Sequence, residues 1–293
     1  ADIKVLGDFK TNEDYMPYFH SLKKNCVTGY TYASIVGGQT ANTEFELLTG
    51  NTLGFLSAGT TAFQLYIHGQ MPSLVSNLKA EGYSGNKAMH PFNPYNYNRP
   101  AVYKDFGFTD FIDKFDFPKN VKRVREYISD EANVDRIISE YEKNRKKTDQ
   151  PFYMYNMTIQ NHSPYDKDAA NFKQPIKIES SKYDAEANRY LNLIKYSDDS
   201  LKQLTSYFEK CKEPTIILFL GDHQPRLTDE FMNKITNGQY QTWSSEQMMK
   251  RYQVPFVIWA NYDIKGQHIE KTSMNYPDPD SWSKDDRISE IFK

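Results

Sequence analysis

TIILFLGDHQP, residues 215–225, joins a short apolar run to a polar turn. The run TIILFL (215–220) is rich in β-branched and aromatic residues, which is typical of a strand buried on both faces in the sheet of an α/β protein. It leads directly into Gly221, Asp222 and His223. Carboxylate oxygen and imidazole nitrogen are both metal ligands, so this strand end has the chemistry to hold an ion. The alternative is an ordinary turn in which Asp222 caps a helix and His223 is solvated.

A second apolar run, PFYMYNMTI (151–159), also predicts a strand, and His162 follows it within three residues. The chain contains only 6 histidines. In α/β sheets the chemistry collects where strands end and loops begin. Because His162 and His223 occupy equivalent positions after strands, we expect both to face one cleft. A lone histidine of this kind would more often be structural, which is the alternative.

Helices are predicted between the apolar runs. One is indicated by apolar side chains spaced i, i+3, i+4 and i+7, with Ser129 and Asp130 as caps: Val134, Ile137, Ile138 and Tyr141. A second is predicted over about 183–208, and Pro214 prevents any continuation. VPFVIWA (254–260) predicts a third buried strand. Helices that alternate with buried strands favour a three-layer α/β architecture.

A loop rich in proline and asparagine, MHPFNPYNYNR (89–99), carries three side chains suited to binding. Arg99 offers a planar fork for a phosphate or a carboxylate. Tyr97 offers a ring that can stack on a sugar or a glycerol, and His90 lies in the same segment. A plain surface loop is the alternative.

The segment GGQTANTEFELLTG (37–50) predicts a helix start. Asn42 or Thr43 is placed to cap a helix that begins near Glu44. The N-terminus of a helix attracts anions, because its free backbone N–H groups and the helix dipole both favour negative charge. Thr40 would then lie just ahead of these N–H groups.

A threonine hydroxyl is a weak nucleophile until a metal ion or a base lowers the cost of deprotonating it. Asp222 and His223 could hold such an ion. The combination suggests that Thr40 attacks phosphorus and forms a phospho-threonine intermediate.

Composition narrows the class of protein. The formal net charge of the 293-residue chain is -2, so no nucleic-acid partner is indicated. The basic runs at 119–125 and 143–147 are interpreted as solvated helical faces. No apolar run approaches the ~18 residues of a membrane span. We therefore expect a soluble segment, which could be cut from a membrane-tethered parent protein. Two cysteines, Cys26 and Cys211, are too few for a disulfide framework.

The motifs occur in the order found in one family. The chain resembles the extracellular catalytic domain of lipoteichoic acid synthase-like phosphoglycerol transferases, within the alkaline phosphatase and sulfatase superfamily. The resemblance covers about residues 2–276. It rests on segments that are specific in combination: GGQTANTEFELLTG (37–50), MHPFNPYNYNRPAVYKDFGF (89–108), NHSPY (161–165), FLGDHQP (219–225) and VPFVIWANYDI (254–264).

The resemblance implies a role for each candidate residue. The catalytic residues would be Thr40, as nucleophile, and His162. The side chains that bind the glycerophosphate group would be His90, Tyr97 and Arg99. The metal ligands would be Thr40, Asp222 and His223. Tyr97 departs from the tryptophan that the family often carries, although ring stacking would survive.

The resemblance also implies a fold: a central, mostly parallel sheet flanked by helices in three layers, with a smaller C-terminal subdomain. The catalytic domain would span residues 1–276, followed by a divergent or discontinuous tail at 277–293. The family's remaining metal ligand is a glutamate that follows the first strand, just before the segment that resembles residues 1–10. We therefore expect this chain to lack that first core strand and its glutamate.

The implied reaction is metal-dependent transfer of glycerol phosphate, with Mn²⁺ or Mg²⁺ as cofactor. Phosphatidylglycerol would be the donor, and polyglycerol phosphate or a surface polysaccharide the acceptor. The expected location is the extracellular face of a bacterial plasma membrane, with a membrane region supplied by the parent protein.

The same motifs bear on three other functions. A sulfatase is disfavoured, because Ala41 to Glu44 after Thr40 lack the proline and arginine of the C/S-x-P-x-R context. A phosphodiesterase, in which water replaces the acceptor, remains open. So does a glycan- or lipid-binding module that has lost catalysis.

Overall fold

The computed structural model describes residues 1–275. Within this range the strands are β1 (Cys26–Tyr32), β2 (Ser84–Met89), β3 (Asp110–Ile112), β4 (Arg123–Val124), β5 (Tyr127–Ile128), β6 (Phe152–Asn156), β7 (Ile216–Leu220), β8 (Gln253–Ala260) and β9 (Gln267–Ser273). The helices are α1 (Pro17–Ser21), α2 (Thr40–Thr49), α3 (Ala62–Leu65), α4 (Leu74–Ala80), α5 (Arg99–Phe106), α6 (Asp130–Arg145), α7 (Ala185–Phe208), α8 (Asp229–Ile235) and α9 (Ser245–Met249). The predicted tail at 277–293 lies outside the described residues.

Two sheets organise the fold. One is three-stranded in the order β3-β2-β6, and both of its pairings are parallel. The other is four-stranded in the order β7-β8-β1-β9; its β1–β9 pair is parallel and its other two pairs are antiparallel. A short hairpin of β4 and β5 stands apart from them. The predicted α/β fold with flanking helices is confirmed, and the predicted parallel pairing is found throughout the three-stranded sheet.

The two long helices form where the apolar spacing predicted them. Ser129 caps α6 by accepting a hydrogen bond from the N–H of Ala132. Asp184 caps α7 in the same way through the N–H of Ala187. The two helices pack against each other, and the ring of Tyr141 on α6 meets an aromatic ring near the end of α7 edge to face. Burial of these apolar faces contributes most of the stability of such helices.

One edge of each sheet faces a shared cavity. In the described residues β6 pairs only with β2, and β7 pairs only with β8. The opposite edges of β6 and β7 line a cavity of about 1510 Å³, to which every residue of both strands contributes. Apolar side chains of α6 and α7 line it as well, among them Ile137 and Leu204.

This cavity explains why one prediction was wrong. β7 was expected to be buried on both faces, but all five of its residues are only partly buried, because they line the cavity. Most of β6 is partly buried for the same reason. By contrast β8, which has a strand on each side, is buried from Val254 to Ala260 as predicted.

Two smaller expectations concern helices and cysteines. Among residues 1–275, no helix has both the length and the hydropathy needed to cross a bilayer. Cys26 and Cys211 are both free thiols.

Candidate functional site

Thr40 is the first residue of α2, so the helix begins four residues earlier than predicted. Gly37, Gly38 and Gln39 all have positive φ, and this left-handed turn brings the chain into the helix at Thr40. The predicted capping by Asn42 or Thr43 is therefore wrong, because Gln39 occupies the cap position without a side-chain hydrogen bond. Thr40 thus lies at the N-terminus of a ten-residue helix, where negative charge is favoured.

The two residues expected to cap the helix connect it to its surroundings instead. The side chain of Asn42 donates to the carbonyl of Thr60 and accepts from the N–H of Ala62. The hydroxyl of Thr43 donates to the backbone carbonyl of Asp222 at 2.7 Å. This second contact fixes the start of α2 against the loop that follows β7.

Thr40, Asp222 and His223 meet at one point, as the sequence analysis expected. The Thr40 hydroxyl donates to Oδ2 of Asp222 at 3.1 Å and lies 3.5 Å from Nε2 of His223. Oδ2 of Asp222 is 3.1 Å from the same nitrogen. Nδ1 of His223 donates to the carbonyl of Gln224, so Nε2 is left as an acceptor facing the other two groups.

The donor set fits a divalent cation in kind. One carboxylate oxygen, one imidazole nitrogen and one hydroxyl lie within 3.5 Å of one another, and all three residues line the cavity. These are donors that Mn²⁺ and Mg²⁺ accept, and Mg²⁺ in particular retains waters in its remaining positions. Among the described residues, no group of three or more His, Cys, Asp or Glu is placed to hold a metal ion.

His90 follows β2, at the same end of the parallel sheet as the loop after β6. Its Nδ1 lies 2.9 Å from the carbonyl of Met157 and must carry the proton, because a carbonyl oxygen only accepts. Burial, and after it the charge of Arg99, lowers the pKa of His90 to about 4. His90 is therefore neutral near pH 7, and its unprotonated Nε2 can accept a hydrogen bond. His90 lines the cavity.

Arg99 lines the cavity but is 2% exposed. Its Nε and Nη2 both donate to the carboxylate of Glu44, which is fully buried. Tyr103 donates to the other oxygen of Glu44. Burial by itself would lower the pKa of Arg99, but the adjacent Glu44 charge raises it above the usual value. The fork predicted to bind phosphate is thus largely engaged by Glu44, which leaves Nη1 as its less occupied donor group.

Tyr97 covers the arginine. Its backbone is left-handed, with φ 58°, and its ring lies 5.1 Å from the guanidinium carbon of Arg99. The pair forms a cation–π contact, and both residues line the cavity. The stacking of this ring on a ligand stays a prediction.

His162 lies in the loop that follows β6. Its Nδ1 is 2.6 Å from the carbonyl of Ser163 and so carries the proton, which leaves Nε2 as an acceptor. The imidazole stacks on Phe92 at 6.3 Å and lies beside Tyr127. His162 lines the same cavity as Thr40.

Sequence reasoning missed the residue that holds this loop. Arg125 was included in a basic run interpreted as a solvated helical face, but it lies in the β4–β5 hairpin and is 9% exposed. Its guanidinium donates to the carbonyls of Gln160, His162 and Pro164 at 2.7–2.8 Å. The neighbouring residues did not indicate that Arg125 lies in a hairpin, because Val124, Tyr127 and Ile128 have a spacing that suits a helix as well as a hairpin.

The sequence of this chain is similar to a protein-family model and to several known proteins. A protein-family model described as Sulfatase matches residues 4–278. A relative from Rhizobium meliloti (strain 1021), named provisionally as a cyclic beta-1,2-glucan modification protein, is 34% identical over 264 residues. The match covers 87% of this chain but 39% of that relative, so this chain spans about two fifths of its length.

Two solved structures have a similar fold. The Streptococcus pyogenes phosphoglycerol transferase GacH, in complex with sn-glycerol-1-phosphate, aligns with a TM-score of 0.76 at 20% identity, covering 94% of this chain and 69% of that one. The lipoteichoic acid synthase LtaP from Listeria monocytogenes aligns with a TM-score of 0.74 at 21% identity, covering 93% and 66%. At these identities the likeness establishes the fold.

Replacing Arg125 with Met should destabilise the chain by about 3 kcal/mol, because three carbonyls, that of Gln160 in a buried hydrogen bond, lose a charged donor. The measurement is the free energy of unfolding from urea denaturation. Arg123→Met is the matched control, since Arg123 lies in the same hairpin but is exposed and bonds only the carbonyl of Glu126. Equal losses in the two variants would contradict the role assigned to Arg125.

His90 should make stability depend on pH. The unfolded side chain takes up a proton near pH 6.5, whereas folded His90 resists protonation down to about pH 4. Unfolding therefore binds a proton between these values, and stability falls as the pH is lowered through this window. From pH 7 to 4.5 the contribution is about 2 kcal/mol.

His90→Asn should remove this contribution while keeping a donor for Met157. We expect the variant to lose about 2 kcal/mol less than the parent chain between pH 7 and 4.5, measured by urea denaturation. Burial raises the pKa of Asp130 to about 6, and this acts in the opposite direction in both chains. The difference between the two chains thus isolates His90, and identical pH profiles would contradict the assignment.

Proposed function

The chain belongs to the sulfatase family, and from that premise we propose that its active site transfers glycerol phosphate from phosphatidylglycerol to a cell-surface acceptor through a phospho-threonine on Thr40. The observation that carries the proposal is the position of the Thr40 hydroxyl. It stands at the N-terminus of α2 and donates to Asp222, within 3.5 Å of Nε2 of His223. The proposed location is the extracellular face of a bacterial plasma membrane.

Thr40 is the proposed nucleophile. Its oxygen forms a bond to phosphorus while the bond from phosphorus to the diacylglycerol oxygen breaks. Asp222 orients the hydroxyl by accepting its proton in a hydrogen bond. The N-terminus of α2 favours the negative charge that gathers on the phosphoryl group.

His162 is the proposed proton carrier. Its proton on Nδ1 is held by Ser163, so Nε2 is the atom that can take up and return a proton. In the first step His162 takes up the proton that Thr40 loses and gives it to the departing diacylglycerol oxygen. In the second step it takes a proton from the acceptor hydroxyl, whose oxygen attacks phosphorus, and returns that proton to the oxygen of Thr40. The bond from phosphorus to Thr40 then breaks, and the threonine hydroxyl is restored.

The glycerophosphate group is proposed to bind among His90, Tyr97 and Arg99. Nε2 of His90 is positioned as an acceptor for a glycerol hydroxyl. Nη1 of Arg99 can donate to an anionic oxygen, while Glu44 fixes the direction of the guanidinium. The ring of Tyr97 covers the arginine and limits access of water to it.

A divalent cation, Mn²⁺ or Mg²⁺, is proposed to be held by Thr40, Asp222 and His223. Such an ion supplies positive charge that lowers the cost of deprotonating a hydroxyl and of gathering charge on a phosphoryl group. The proposal is supported by the convergence of the three donors and by the cavity that they line.

The acceptor is proposed to be a glycan. The relative that is 34% identical is named for modification of cyclic beta-1,2-glucan, whereas the likeness to a lipoteichoic acid synthase structure is at 21% identity. Aromatic rings at the cavity, such as Tyr97 and Phe92, suit a sugar face. Polyglycerol phosphate is the second candidate.

A further strand is proposed to lie between β6 and β7. Their unpaired edges line one cavity along their whole length, with apolar side chains of α6 and α7 against it. Such edges are templates for another strand. A strand of the longer parent protein would join the two sheets and could bring a carboxylate, the expected glutamate, toward Asp222 and His223.

Thr40→Ala should reduce diacylglycerol release from fluorescent phosphatidylglycerol by about a thousandfold or more, because the nucleophile is lost. The assay uses the full-length parent protein with Mn²⁺. Thr49→Ala is the control, since Thr49 ends the same helix and its hydroxyl only donates to the carbonyl of Phe45 and accepts from the N–H of Asn51. Unchanged release by the Thr40 variant would mean that the nucleophile is wrong. Release in which the glycerophosphate always reaches water would identify a hydrolase.

A chain lengthened by the parent's upstream segment should unfold at a higher temperature and bind Mn²⁺ more tightly, if that segment supplies the strand. Thermal denaturation and titration calorimetry measure the two effects. Replacing the strand's glutamate with glutamine should keep the gain in stability and lose the gain in metal affinity. No gain in stability would contradict the strand.

A further inference from the structure

Large apolar side chains are exposed on one side of the candidate cleft. Phe55 is 93% exposed, Leu65 58%, Tyr66 52% and Tyr95 79%. We refer to these four residues as the apolar rim. Soluble monomers seldom expose apolar clusters without a partner for them.

The rim adjoins the mouth of the cleft. Gln39, the residue before Thr40, donates to the carbonyl of Gly59 in the loop that carries Phe55. Gln64 on α3 lines the cavity, and Leu65 is its neighbour. Helix α3 packs against the turn at 96–98, which follows Tyr95 directly.

The sequence of this region is unusual in its charge. No Asp, Glu, Lys or Arg occurs between Glu46 and Lys79, although charged residues make up 25% of the chain. A surface segment that must remain in water normally carries charges. A segment that is free of them and presents phenylalanine, leucine and tyrosine has the composition of a membrane interface.

We propose that the apolar rim inserts into the surface of a lipid bilayer and so brings the cleft to the phosphodiester of a membrane lipid. The proposal rests on the proposed function for the identity of the lipid, but the rim itself stands on exposure, position and charge. The occupant is a bilayer that contains phosphatidylglycerol.

Docking of this kind solves a physical problem for the reaction. Each methylene lifted from a bilayer into water lowers the equilibrium constant by a factor of about four. Extracting a two-chain lipid is therefore prohibitively unfavourable, whereas the phosphodiester already lies at the interface. A rim of apolar side chains beside the cleft lets the acyl chains stay where they are.

The formal charge of the chain predicts how binding should respond to salt. At -2 overall, the chain has no electrostatic attraction to anionic lipid. Binding driven by insertion of apolar side chains should therefore persist at 1 M NaCl. At this salt concentration the Debye length is about 3 Å, so electrostatic attraction is screened.

The first test measures binding without turnover. The 293-residue chain is sedimented with vesicles of phosphatidylglycerol and phosphatidylcholine. The double variant Phe55→Ser, Leu65→Ser should bind about tenfold more weakly or worse. Tyr183→Ser should bind normally, because Tyr183 is also 45% exposed but lies outside the rim, beside α8, where Lys234 donates to its carbonyl. A Phe55→Trp reporter should shift its emission to shorter wavelength when vesicles are added.

Several results would overturn the inference. One is that the unsubstituted 293-residue chain fails to bind vesicles. Another is that the double variant binds as well as the unsubstituted chain. Alternatively, the Phe55→Trp emission would be blue-shifted before lipid is added and the chain would self-associate through the rim. That result would assign the surface to a protein contact.

A second test separates docking from catalysis. In the full-length protein, the double variant should transfer glycerol phosphate from vesicles about tenfold more slowly than the unsubstituted protein. From short-chain phosphatidylglycerol kept below its micelle concentration, the two proteins should transfer it at the same rate. Equal losses on both donors would place the rim in the active site and overturn docking. If neither donor is turned over while vesicle binding still depends on the rim, the proposed function fails and docking stands.

Discussion

The buried contact between Glu44 and Arg99 links the two halves of the candidate site. Glu44 is fully buried on α2, the helix that presents Thr40, and Arg99 is the first residue of α5, which follows the binding loop. Tyr103 donates to the same carboxylate. A buried charge left without its partner costs several kcal/mol, so α2 and the segment at 89–99 hold a fixed relation. Burial, and after it the charge of Arg99, lowers the pKa of His90, whereas the charge of Glu44 opposes this shift.

Helix α2 also has a second anchor, on the side of the other sheet. Thr43 donates to the backbone of Asp222, in the loop that follows β7. The helix thus contacts α5, which packs against β3 of the three-stranded sheet, through Arg99, and the loop after β7 of the four-stranded sheet through Asp222. The site is therefore assembled across two sheets, and Arg125 holds the loop of His162 at its third side.

The cavity between the sheets and the exposed rim beside it have one property in common. Both are apolar surfaces that the described residues leave without a partner. The first has the form of a gap between two strand edges, and the second consists of exposed side chains, three of them in a segment without Asp, Glu, Lys or Arg. Their geometry thus favours different partners, a strand for the cavity and a lipid interface for the rim.

The sequence by itself determined the α/β class, the two long helices with the Ser129 cap of the first, and the strands from which the candidate residues follow. Periodicity and capping depend on neighbours along the chain, so they can be read from it. The family was also predicted and is confirmed, whereas the roles of Thr40, His90, Tyr97, Arg99, His162, Asp222 and His223 remain predictions.

Tertiary structure alone decided the rest. Helix α2 begins at Thr40 because a left-handed turn and the contact with Asp222 override the capping preference of Asn42 and Thr43. The engagement of Arg99 by Glu44, the role of Arg125 and the partial burial of β7 depend on residues distant in sequence. Local preferences carry no information about such partners, because it is the packing of the two sheets that brings them together.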